Sequence, residues 1–140
     1  MSKYYTPTIE EFHVGFECEI LNGYGAWKHI SVEMSHFKLD EVENLKEWRV
    51  KYLDREDIES LGWLERPIDL DDKPNLTYTK KLDRLKRSWD TVDIIHNPIS
   101  NWVVICLGDD ETGWGEWCTV FAGTINNKSE LKRILKQIEI

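Results

Sequence analysis

The chain has 140 residues, a net charge of −8, 41% hydrophobic residues and 31% charged residues. That is the size and composition of one soluble globular domain, with enough chain to bury a core, and it excludes a disordered chain or a disulfide-stapled miniprotein. No run of about 18 apolar residues marks a membrane span, and the opening MSKYYTPTIEEF holds charge and a proline where a secretory leader needs an apolar stretch, so the expected location is the cytoplasm, with no membrane partner.

The elements read in chain order as follows. Residues 10–20, EEFHVGFECEI, alternate, with Phe12, Val14, Phe16, Cys18 and Ile20 on one side and His13, Glu17 and Glu19 on the other; a period of two predicts a half-buried strand. The Asn-Gly of LNGYGAW predicts a turn, and WKHISVEM over 27–34 completes an antiparallel hairpin. Leu39, Val42 and Leu45 give 37–47 helical spacing with Asp40 as a cap, and WRVKYL over 48–53 alternates as a strand.

Next comes a short helix over 55–61 with complete punctuation. Asp54 is the N-cap, Asp57 the acid at the third position, Leu53 and Ile58 the staple, and Gly62 the stop, with Trp63 placed to fold back over its end. Residues 65–75, with two prolines and four acids, read as an exposed loop. LTYTKKL over 76–82 reads as a strand, and residues up to 89 are ambiguous between strand and helix. Residues 90–96 and 101–108 read as strands joined by NPIS, 109–116 as a loop and 117–123 as the last strand. An amphipathic helix closes the chain: Leu131, Ile134, Leu135 and Ile138 share one face, and Asn127 or Ser129 caps it. Strands dominate and helices do not alternate with them, so the expected fold is a single α+β domain with a mainly antiparallel sheet and two or three short helices.

Three cysteines, Cys18, Cys106 and Cys118, with no CxxC spacing, suggest neither a disulfide framework nor a zinc ribbon. Seven tryptophans suit a compact aromatic core. Residues 1–72 hold 17 acids and 8 bases, a net of −9, while residues 73–140 hold 9 acids and 10 bases, a net of +1. The first half therefore repels nucleic-acid backbones and anionic surfaces. The basic run Lys80, Lys81, Arg84, Lys86 and Arg87 reads as a solvated face.

Few constellations carry chemistry. The helix at 55–61 resembles a DNA-reading helix in its regularity, but it follows a strand and carries Glu56, Asp57 and Glu59 against one Arg55, the wrong sign for phosphates. His13, Glu17 and Glu19, spaced along one strand face, are the candidate metal ligands, a donor set suited to zinc, manganese or iron; solvent-facing charges have the same pattern. The segment 109–118, DDETGWGEWC, lacks an EF-hand register but sets Trp114 and Trp117 among acids. His96 with Cys106 or Cys118 lacks any nucleophile signature, and there is no GxSxG, P-loop or Rossmann glycine pattern. No cofactor is implied.

EFHVGFECE at 11–19, VKYLDREDIESLGW at 50–63 and INNKSELKRILKQI at 125–138, about a quarter of the chain, resemble a family of small uncharacterised proteins of gut Bacteroidetes and their phages. The resemblance implies a phage or mobile-element setting, in the host cytoplasm if phage-encoded. It implies no activity and carries over no functional residues.

The leading expectation is a non-enzymatic protein-interaction factor whose partner is another protein, docking through Glu56, Glu59, Asp69, Asp71, Asp72, Trp114 and Trp117. The alternatives are a small metal-dependent hydrolase using His13, Glu17 and Glu19, and single-stranded nucleic-acid binding on an aromatic sheet face.

Overall fold

The computed structural model describes residues 2–37, 45–66, 74–82, 90–108 and 117–140. The fold is α+β: among the described residues, two antiparallel sheets and two α-helices, one of them C-terminal. The first sheet has the order β1-β4-β2-β3, with β1 Tyr4–Tyr5, β2 Glu17–Leu21, β3 Trp27–Ser31 and β4 Trp48–Lys51. The second has the order β5-β6-β7-β8-β9, with β5 Leu64–Glu65, β6 Leu76–Lys81, β7 Thr91–His96, β8 Trp102–Gly108 and β9 Cys118–Thr124. The helices are α1 Arg55–Ser60 and α2 Lys128–Gln137. The chain divides into two compact units, Met1–Tyr52 with Asn127–Lys136, and Leu53–Asn126 with Gln137–Ile140.

In the first unit, β2 and β3 form the expected hairpin, with Glu17 opposite Ser31 and Leu21 opposite Trp27. The turn is held by Asn22, whose Oδ1 accepts from the Tyr24 and Ala26 amides at 2.9 Å each, and Gly25 takes the positive φ of +78°. The strand predicted over 10–20 begins only at Glu17. Upstream, the Glu11 carboxylate accepts from the Thr8 amide at 2.7 Å and closes a 3-10 turn at Ile9–Glu11. Gly15 then adopts φ +89°, so the alternation stops and Val14 is exposed. A local capping interaction and one glycine outweigh the period-two pattern there. The hairpin's second strand likewise ends at Ser31 and gives way to a 3-10 turn at Met34–Phe37.

The core of this unit is Phe16, Cys18, Val32, Trp48 and Val50, with Tyr5, Phe12, Ile20 and Ile30 packed against it. The Phe12 ring stands edge-on to Trp48 at 5.2 Å and 88°, a favoured aromatic geometry. Helix α2 is fastened to the same unit at several points. Asn127 Oδ1 accepts from the Glu130 amide at 2.8 Å, which makes Asn127 the cap. Its Nδ2 donates to the Tyr5 hydroxyl at 2.8 Å, and that hydroxyl donates to Glu11 at 2.6 Å. Burial, with the Glu11 carboxylate beside it, pushes the Tyr5 pKa well above that of free tyrosine, so it remains a donor. Ser129 is not the cap: buried, its Oγ accepts from the Glu17 amide at 3.0 Å. Leu131, Ile134 and Leu135 are buried as the amphipathic pattern requires.

In the second unit, α1 matches its expected punctuation. The Asp54 side chain accepts from the Asp57 amide at 3.0 Å, and Asp57 accepts from the Asp54 amide at 3.3 Å. Leu53 and Ile58 are buried, and Gly62 has φ +95°. At the far end Lys80 Nζ donates to the Leu61 carbonyl at 3.2 Å and lies 4.7 Å from the centroid of buried Trp63, a cation placed at the negative end of the helix. Residues 64–65 form β5 rather than loop, with Leu64 opposite Thr79 and Glu65 opposite Tyr78. The predicted helix at 37–47 lies largely outside the described residues; Leu45–Glu47 is a 3-10 turn. The segments 67–73, 83–89 and 109–116 also lie outside them. Among the described residues, no helix is long and apolar enough to cross a membrane.

Candidate functional site: the outer face of the five-stranded sheet

Directly paired residues in an antiparallel sheet share a face, so the register sorts β5–β9 into two surfaces. One is the core. Tyr78, Ile94, Ile105 and Phe121 form a row across four strands, flanked by the row Leu76, His96, Val103 and Gly123. Tyr78, Val92, Ile94, Val103 and Ile105 are wholly inaccessible to solvent.

The opposite, outer face is not the polar surface that a half-solvated antiparallel sheet ordinarily presents. One row runs Leu64, Thr79, Asp93, Cys106, Thr119. Another runs Thr77, Ile95, Val104, Ala122, and Trp102 stands opposite Thr124 at one end. Leu64 is 71% exposed and Trp102 49%. At the other end lies Trp117, 42% exposed. Its ring covers Gly108 so closely that a Cβ there would stand 2.4 Å from it. Gly108 follows the parity of Trp102 and Cys106 along β8, which puts both tryptophans on this one face.

Charge on the face is internally compensated. Asp93 is only 7% exposed, in the middle of a strand of otherwise uncharged neighbours. Arg66, whose amide donates to the Thr77 carbonyl, brings its guanidinium to 3.5 Å from Asp93 and to 5.9 Å from the Trp117 ring centroid. A buried carboxylate requires such a partner. Cys106 and Thr119 are in contact, Sγ to Oγ1 3.7 Å. The face is therefore neutral, apolar and aromatic-ended. From Trp102 to Gly108 is six residues of extended strand, roughly 20 Å.

The free edge of the sheet is β9, seven residues with no charge or proline that pair only with β8 among the described residues. It is interrupted: Ile105 pairs with Phe121 and Cys106 with Thr119, so Val120 is an extra residue, a bulge. Bulges bend an edge away from further pairing. The geometry thus favours the face over the edge.

The residues expected to act are scattered. His13 precedes β2 and its Nδ1–H donates to the Glu11 carbonyl at 2.9 Å. Glu17 pairs with Lys132 at 3.1 Å. Glu19 binds Arg49 through two nitrogens, at 2.8 and 3.3 Å, and that guanidinium is sandwiched 3.9 Å from the Tyr4 ring centroid and 4.3 Å from that of Trp27. Among the described residues no group of three or more His, Cys, Asp or Glu gathers as a metal site. Both carboxylates of the expected triad are instead engaged by cations. On α1, Glu59 is paired with Arg55 at 2.9 Å, and Arg55 also reaches Glu65 at 2.9 Å. Glu56 is exposed on the same helix. Asp69, Asp71, Asp72 and Trp114 lie outside the described residues.

His96 and Cys106 lie on opposite faces of the sheet, so they form no nucleophile–base pair. Cys18 is buried, and burial pushes its thiol up to about 12, which keeps it protonated and inert. Arg66, Asp93 and Trp102 were not among the expected site residues. A carboxylate inside the apolar run TVDIIH signalled Asp93, and strand alternation signalled Trp102. Nothing local signalled Arg66, whose placement follows from the pairing of β5 and β6. No family model, curated protein or solved structure matches the chain.

Proposed function

We propose that the chain is a non-enzymatic protein-interaction module that binds another protein through the outer face of its five-stranded sheet, across Leu64, Ile95, Trp102, Val104 and Trp117. The observation that supports this is the pair of half-exposed tryptophans at the two ends of one otherwise neutral and apolar face. Large rigid aromatics contribute contact area with little loss of side-chain entropy, and tryptophan is the residue most enriched among energetically dominant contacts. The span between them suits an extended segment of about six residues. The compensated Arg66–Asp93 pair gives such a segment an orienting polar point without a net charge to satisfy.

The setting we assign, a phage or mobile-element accessory factor acting in the host, rests on the resemblance of three segments alone. The acids Glu56 and Glu59 are then secondary contacts on a separate surface, with Glu59 already drawn to Arg55.

The test is affinity capture from host lysate with the wild-type chain and with Trp102→Ala, a half-exposed position whose loss leaves the core intact. A protein retained by wild type and lost, or weakened at least about tenfold, with the variant supports the reading. Equal capture by both moves the interface elsewhere. Arg66, exposed Lys81 and both tryptophans share this face, so a second reading is single-stranded nucleic-acid binding. That binding weakens steeply with added salt. An oligonucleotide titration at low salt with no binding removes it.

A further inference from the structure

His96 stands at the end of β7 on the core face, 1% exposed. Neither of its ring nitrogens has a hydrogen-bond partner among the described residues. An imidazole so placed is costly, and its surroundings bear on what it does. Directly across from it on the flanking strands are Leu76 of β6 and Val103 of β8, both apolar. The turn after β7 contributes Asn101, itself buried and held at a φ of +58°.

A ladder of backbone hydrogen bonds leads from that turn to α1. The Ile125 amide donates to the Asn101 carbonyl at 3.0 Å, and the Leu53 amide donates to the Asn126 carbonyl at 2.7 Å. The next residue is Asp54, the cap of α1. Burial holds His96 below its ordinary value of 6.5, while the Asn101 side chain and the Asp54 charge act against that burial. Among the described residues Asp54 is the one charge that acts on the ring.

We propose that His96 and Asp54 form an acid-sensitive latch on α1, in which a proton taken up from solvent by the buried imidazole draws the Asp54 carboxylate off the Asp57 amide and loosens the helix. One carboxylate cannot serve both as cap and as counter-ion to a buried imidazolium without a change in geometry. The cap is the weaker claim on it, since a neutral amide donor competes with a desolvated cation. Helix α1 has only six residues, so its formation depends on its end interactions more than a long helix would. The latch is independent of the docking surface, on the other side of the sheet, and its test needs no partner.

The direction with pH follows from the depressed titration of the folded ring. Above pH 6.5 both folded and unfolded chains carry neutral His96, and stability is unaffected. Below it the unfolded chain binds the proton first, so stability falls as pH drops from 6.5 toward the folded value.

The experiment is an NMR titration between about pH 8 and about pH 5, reading the His96 ring and the Asp57 amide in the wild type, in His96→Gln and in Asp54→Asn. In the wild type the Asp57 amide is expected to shift and lose exchange protection with the midpoint of the His96 ring. In His96→Gln that step disappears. Asn is as good a cap as Asp, so Asp54→Asn keeps the helix while removing the charge, and the His96 midpoint falls by about one unit. An Asp57 amide that does not follow the His96 midpoint overturns the latch, as does an unchanged midpoint in Asp54→Asn. The latter variant decides the matter even if His96→Gln fails to fold.

Discussion

Gly108 shows how much a single residue can decide. Any side chain there meets the Trp117 ring at 2.4 Å, so Gly108→Ala must lift the indole off the sheet. The expected result is a stability loss of about 1–3 kcal/mol, the usual cost of overpacking, with Trp117 becoming more accessible to a fluorescence quencher. Unchanged quenching would mean that the ring is not seated on β8. The cysteines give a second prediction at this scale. Cys118 is exposed and Cys106 partly so, whereas Cys18 is buried with its thiol pushed up to about 12. Thiol labelling of the native chain followed by mass spectrometry should modify Cys118 first and Cys18 only on unfolding.

Elements in this protein are held at their ends. Helix α1 has a reciprocal cap at one end and Lys80 at the other. Replacing Asp54 by Ala removes the cap and should cost about 1 kcal/mol, read from the urea midpoint at constant slope. Helix α2 depends instead on tertiary partners. Its Ser129 hydroxyl accepts the Glu17 amide at the start of β2. Ser129→Ala leaves that amide without its acceptor in a part-buried site and should cost about 1–3 kcal/mol, with faster hydrogen exchange at Glu17 as the specific sign. The punctuation of α1 was legible in its sequence because cap, staple and glycine stop all lie within ten residues, 53–62. The shortened β2 was not, because the alternation of EFHVGFECEI competes with a Thr8–Glu11 turn that periodicity does not register.

At the scale of the molecule, the N-terminal sheet and the C-terminal helix belong to one compact unit although the rest of the chain lies between them. Removing residues 127–140 takes away the Asn127–Tyr5 and Ser129–Glu17 hydrogen bonds and the buried Leu131. The amides of β2 and β4 should then lose exchange protection, while those of β7 and β8 keep most of theirs. Equal loss in both sheets would show that the two units are not separable in stability.

By itself the sequence determined the α+β class, the β2–β3 hairpin, α1, the strands of the second sheet from β6 onward and the amphipathic α2. Each of these is encoded by periodicity, capping or turn chemistry acting over a few neighbouring residues. Only the tertiary structure decided the division of the strands into two sheets, the addition of β5, and the joining of Arg66 to Asp93 on a face ended by Trp102 and Trp117. The same holds for the neutralisation of Glu17 and Glu19 by Lys132 and Arg49. Those outcomes depend on strand register between segments far apart in the chain, and a one-residue slip of register would exchange the two faces. No local pattern specifies that choice; it follows from which packing buries the apolar surface and leaves no buried charge without a partner.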